Sequence, residues 1–128
     1  MKIGFREKKV VLSVSQSGDI RTTMSELTYY TEVVEPQLIL VPIGFDTDLG
    51  SIPRIFQSFI PKDGIVIFAY ILHDYLYKMG LFTRTQTDNI LDEAMKSQGA
   101  SLVHRKVVLS GLRVGGWVSW NKHRKAEK

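Results

Sequence analysis

The chain contains no cysteine, which excludes disulfides and thiolate-ligated metals and fits folding in a reducing compartment. It has three histidines; a zinc site needs two or three suitable ligands and fits poorly, because beyond His73 only His104, on the last helix, and His123, in the tail, remain. No apolar run approaches the roughly 20 residues that span a bilayer; the longest is "IVIFAYIL", residues 65–72. The N-terminal "MKIGFREKKVVLSVSQSG" has early positive charge, but Ser13 and Ser15 break its apolar part, and it reads as no signal peptide. Internal repeats and low-complexity segments are missing. So are a G-x-S-x-G motif and a phosphate-cradling glycine loop. A His-Asp phosphohydrolase would need a histidine upstream of its His-Asp pair, and none precedes His73.

What is present is an ordinary globular balance: 128 residues, 44% hydrophobic and 23% charged, with a net charge of +4. One domain over residues 1–128 is expected, with one core. Much of the positive excess lies in "NKHRKAEK", whose last residues 123–128 read as a solvated basic tail or as a weak contact for phosphate or an acidic partner. No aromatic residues are interleaved with these charges in a recognition motif, so no clear nucleic-acid interface is expected.

Residues 1–45 read as antiparallel strands. "KVVLSV" (9–14), "LTYYTE" (27–32) and "QLILVPIGF" (37–45) are rich in β-branched and aromatic residues, and Pro42 marks an edge or a strand end. Residues 46–64, "DTDLGSIPRIFQSFIPKDG", read as one long irregular loop, the kind of segment that often carries function. Residues 65–122 read as three helices. The first runs from Ile65 to Met79 and stops at Gly80. The second begins at Thr83–Thr85, buries Ile90, Leu91, Ala94 and Met95, and ends at Gly99. The third starts after Ser101 and carries Leu102, Val103, Val107, Leu109, Leu112, Trp117 and Trp120, with Gly115-Gly116 read as a close helix contact. The expected class is therefore α+β, with a helical hairpin at its centre.

"AYILHDYLY" (69–77) places His73-Asp74 in the most apolar helix. Desolvating both groups is costly unless they are paired or bind something. His73 and Tyr77 share a helix face, while Asp74 points about 100° away. Asp88, early in the next helix, is positioned to meet that face after a short connection. A carboxylate there would fix the imidazole tautomer and leave the other nitrogen as a base, while Asp74 would take a cation or an arginine. In the loop, Asp46 and Asp48 at i and i+2 suit a hard cation such as calcium, with Ser51 and Arg54 as support. Equally, Asp48 could cap a turn and Arg54 could pair with Asp48 or Asp74. His104 reads as an exposed helix residue.

Two resemblances follow from these motifs. "LTYYTEVVEPQLILVPIGFDTDLGSIPR", "AYILHDYLY", "TRTQTDNILDEAMKSQGA" and "LRVGGWVSW" together resemble an uncharacterised domain family common in phage and prophage genomes. Its pattern is Val-Pro-x-Gly-Phe-x-Thr-Asp, Ser-x-Pro-Arg, His-Asp-x-Leu-Tyr and a later helix Asp. The match spans residues 27–120, with Gly50 where the family usually has Ala. It implies a phage-related setting and supplies no activity; within that setting the expectations are synthesis in the host cytoplasm, a place in the virion, and other phage structural proteins as partners. "HDYLY" is also similar to the His-Asp-x-x-Tyr helix of secreted phospholipase A(2), including the cysteine-free version in parvovirus capsids. That similarity implies His73 as base, Asp74 as calcium ligand, Tyr77 and Asp88 as orienting groups, and a lipid ester as substrate. "FDTDLGS" stands where that family has a glycine-rich calcium loop, with a different glycine spacing. Three roles are thus expected: a virion or tail component whose polar site ties the domain together, a calcium-dependent hydrolase of host-envelope phospholipid, or an intracellular effector docking a host protein through Phe56 and Phe59.

Overall fold

The computed structural model describes residues 1–18, 20–47 and 66–126. Within them, six short strands precede three helices: β1 (Gly4–Phe5), β2 (Leu12–Val14), β3 (Arg21–Thr23), β4 (Leu27–Thr31), β5 (Gln37–Val41), β6 (Asp46–Thr47), α1 (Ile67–Met79), α2 (Arg84–Ser97) and α3 (Leu102–Ala126). The strands form two antiparallel three-stranded sheets, ordered β1-β4-β5 and β2-β3-β6. The arrangement is α+β.

Alternation along β4 explains how the first sheet meets the helices. Leu27, Tyr29 and Thr31 are buried, while Thr28 and Tyr30 are less so, the period of two that turns one sheet face to the core. Leu27 pairs with Val41 and Tyr29 with Ile39, so the buried residues of β4 and β5 lie on one side. Phe5 extends that surface by packing on Tyr29, 4.7 Å between ring centroids, and on Phe68 of α1 at 5.5 Å. Glu93 of α2 fastens the same edge: its carboxylate accepts from the Tyr29 hydroxyl at 2.8 Å and from the Glu32 amide at 3.2 Å.

The second sheet is held by Thr23, which is fully buried. Its hydroxyl donates to the Pro42 carbonyl at 2.8 Å and accepts from the Phe45 amide at 2.9 Å. These bonds close the turn after β5, where Gly44 sits at φ +90°, and deliver the chain into β6. Asp46 and Thr47 are therefore paired with Thr22 and Arg21 in a sheet, which corrects the expectation that an irregular loop begins at residue 46. The rest of that loop, with Asp48, Ser51, Arg54, Phe56 and Phe59, lies outside the described residues.

α1 packs on α2, α3, β4 and β6 and is buried nearly all round. It ends where Gly80 adopts φ +64° and donates its amide to the Leu76 carbonyl. Thr83 then opens α2 through a reciprocal capping box with Gln86. Gly99, at φ +91°, follows its end, and the Ser101 hydroxyl accepts from the His104 amide at the start of α3. The third helix departs from expectation at its far end. It runs to Ala126, so residues 123–126 are helical rather than a free tail. Arg124 has a reason to be there: it donates to the Tyr77 and Lys78 carbonyls, both at 2.8 Å, and lies over the Trp120 ring at 4.4 Å. It thereby satisfies carbonyls that the last turn of α1 leaves open, with a cation at the negative end of that helix.

Candidate polar site in the helical hairpin

The α1–α2 hairpin brings His73, Tyr77 and Asp88 together. His73 Nε2 is 2.8 Å from Asp88 Oδ1, and the Tyr77 hydroxyl donates to the same oxygen at 2.9 Å. The i, i+4 spacing on α1 stacks the two rings 4.3 Å apart and presents both donors to one carboxylate on α2. Because that carboxylate accepts, Nε2 is the protonated nitrogen and Nδ1 carries the lone pair. The His73 side chain is 1% exposed and that of Asp88 is 16% exposed, so the polar set opens on the α2 side.

Neighbours lock Tyr77 in place. Trp120 of α3 meets its ring edge-on at 5.2 Å, and a Cβ added to Gly116 would stand 3.0 Å from its hydroxyl. Gly116 thus leaves room on α3 for the Tyr77 hydroxyl. Burial raises the Tyr77 hydroxyl well above its usual range, and the charge and hydrogen bond of Asp88 add to this, with Arg84 opposing. The phenol stays protonated and remains a donor. Arg84 itself donates to the Leu112 carbonyl at 2.9 Å, tying α2 to α3 beside the site.

Asp74 serves another face. It is buried, and its charge acts on His123 near the end of α3, whose own protonation is lowered by burial against that opposing pull. His104 is half-buried and shares a hydrogen bond with the Tyr70 hydroxyl at 3.0 Å, which corrects its reading as an exposed residue. Asp46, expected as a calcium ligand, spends its carboxylate on the Thr22 hydroxyl at 2.5 Å, and its carbonyl accepts from Lys78 at 2.7 Å. An ammonium therefore already occupies the position a cation would take at that carbonyl. Among the described residues no group of three or more His, Asp or Glu is placed to hold a metal, so those residues do not fit a calcium ion; Asp48 lies outside them.

Sequence reasoning missed Arg124, Arg84 and His123 as neighbours of the site. Only the Gly115-Gly116 pair had signalled that α3 comes close.

The class defined by these observations is a small α+β domain whose helical hairpin joins a buried His73 and Tyr77 to a partly buried Asp88. Residues 22–111, from β3 through the first part of α3, match the model of a family described as protein of unknown function (DUF1353), and the chain belongs to that family. No curated protein and no solved structure matches it.

Proposed function

We propose that the chain is a phage-encoded virion or tail-associated protein carrying a phospholipase-like ester-hydrolysing site, with His73 as its catalytic base. The observation that carries this reading is the convergence of His73 Nε2 and the Tyr77 hydroxyl on one Asp88 oxygen. A histidine held by a carboxylate through one nitrogen is oriented to accept a proton at the other. His73 Nδ1 would take a proton from water as that water attacks an ester carbonyl, and would return it to the departing alcohol. Asp88 would stabilise the imidazolium, and Tyr77 would hold Asp88 in place; both are positioning residues. The resemblance of "HDYLY" to the phospholipase A(2) helix supports a lipid ester as substrate. Calcium is implied by that resemblance alone.

A second reading has its own support: His73 is almost fully buried, as in a polar knot that only ties α1 to α2. Fatty-acid release from phosphatidylcholine and phosphatidylglycerol vesicles, with and without calcium, separates the two. The natural chain should release fatty acid, and His73→Gln should lower the rate by about a hundredfold or more with its helical circular dichroism retained. A natural chain inert in both arms, with His73→Gln merely less stable, establishes the knot. Detection of the chain in purified particles tests the virion assignment, and its confinement to infected cytoplasm overturns it.

A further inference from the structure

Among the described residues, nothing packs on the outer face of α3. At about 100° per residue, Val103, Ser110, Val114, Trp117 and Val118 fall on one stripe, opposite the buried Val108, Leu112 and Gly116. Val103 is 72% exposed, Val114 71%, Val118 55% and Trp117 51%. Val114, Trp117 and Val118 adjoin one another on this stripe, and Val103 lies about 17 Å further along, beyond Ser110.

The charges that α3 itself places beside it are of one sign. The 25 residues of α3 include Arg105, Lys106, Arg113, Lys122, Arg124 and Lys125, and no acid. Lys106 and Arg113 border the stripe on one side, and Lys122 and Lys125 border its C-terminal end. Next to Lys106 and Arg113 opens a groove of about 370 Å³, lined also by Ser110 and by Arg105 in its ion pair with Asp92. A second copy of the same face would bring like charges together, so charge complementarity selects an anionic surface. No described helix is long and apolar enough to cross a membrane. An apolar stripe with a tryptophan and basic borders is the composition of a helix that lies in the plane of the lipid headgroups.

We infer that the outer face of α3 docks the domain on an anionic lipid surface, with Val103, Val114, Trp117 and Val118 entering the headgroup layer and Lys106 and Arg113 contacting lipid phosphates. The inference stands apart from the hydrolase reading. Docking is measured without turnover, so a chain that binds vesicles but hydrolyses nothing sinks that reading and leaves this one standing.

The test is co-sedimentation of the full chain with vesicles of phosphatidylcholine alone and of phosphatidylcholine with phosphatidylglycerol in equal parts, with tryptophan emission read in parallel. The chain should bind the anionic vesicles at least roughly tenfold more tightly, with a blue shift, and lose that margin in high salt. Val114→Glu and Arg113→Glu, both at exposed positions and so compatible with folding, should each lower binding by about tenfold. Equal binding to both vesicle types, or none, overturns the inference. So does full binding by Val114→Glu, which would reduce the contact to adsorption by charge. A lipid-free dimer broken by Val114→Glu overturns it in favour of a second copy on this face.

Discussion

Replacing Gly116 by alanine sets two known effects against each other. In a helix interior alanine is better than glycine by about 1 kcal/mol, so propensity alone predicts a more stable protein. The structure predicts the reverse. The new methyl would stand 3.0 Å from the Tyr77 hydroxyl and 3.3 Å from Leu112 Cδ2. Leu112 is fully buried, and Tyr77 is held by Asp88, by the His73 ring and by Trp120. With neither neighbour able to withdraw, overpacking costs about 1–3 kcal/mol. The net expectation for Gly116→Ala is a loss of about 1 kcal/mol, a urea midpoint lower by roughly half a molar unit. Tyr77→Phe alone should cost about 1–2 kcal/mol, because Asp88 loses a donor. In the Tyr77→Phe background the 3.0 Å contact is gone while the Leu112 contact stays, so the cost of Gly116→Ala should shrink toward neutral. Urea unfolding of the four proteins gives the coupling directly. Gly116→Ala stabilising the natural chain, or adding without coupling to Tyr77→Phe, would refute the claim that Gly116 exists to let α3 approach the site.

Two further outcomes test the end of α3. Arg124→Met keeps the aliphatic stem but removes the donors to the Tyr77 and Lys78 carbonyls and the cation over Trp120, and should cost about 1–3 kcal/mol in thermal unfolding; an unchanged midpoint would show that the last turns of α3 do not hold α1. For His123, burial lowers its pKa below the ordinary 6.5, aided by Lys78, Arg124 and Lys122 and opposed by Asp74. The unfolded chain then takes up this proton first, so His123 costs no stability above about pH 6.5 and progressively destabilises the fold as pH falls below it. Urea midpoints across that window should fall less steeply for His123→Asn than for the natural chain, and parallel slopes would refute the assignment.

Local chemistry made much of the helical half legible. Gly80 and Gly99 end helices because the left-handed backbone there suits a residue without Cβ. Thr83 and Ser101 start helices because their hydroxyls accept from open amides. The i, i+4 spacing of His73 and Tyr77, followed by Asp88 after a short connection, was enough to expect one carboxylate facing both rings, because two antiparallel helices joined that closely have few ways to pack. β1, β3 and β6 were not legible. Each has two or three residues, too short for an alternation pattern, and exists because another strand supplies its hydrogen bonds.

By itself, then, the sequence determined where α1 ends, where α2 begins and ends, where α3 begins, and which three side chains share the hairpin, since these depend on spacing within a few turns of chain. Tertiary structure alone decided that Asp46 belongs to a sheet edge beside Lys78, that Arg124 caps a helix more than forty residues away, and that an apolar stripe with basic borders faces outward on α3. Those outcomes depend on which surfaces meet after the chain has folded back on itself, and no local pattern of residues encodes that meeting.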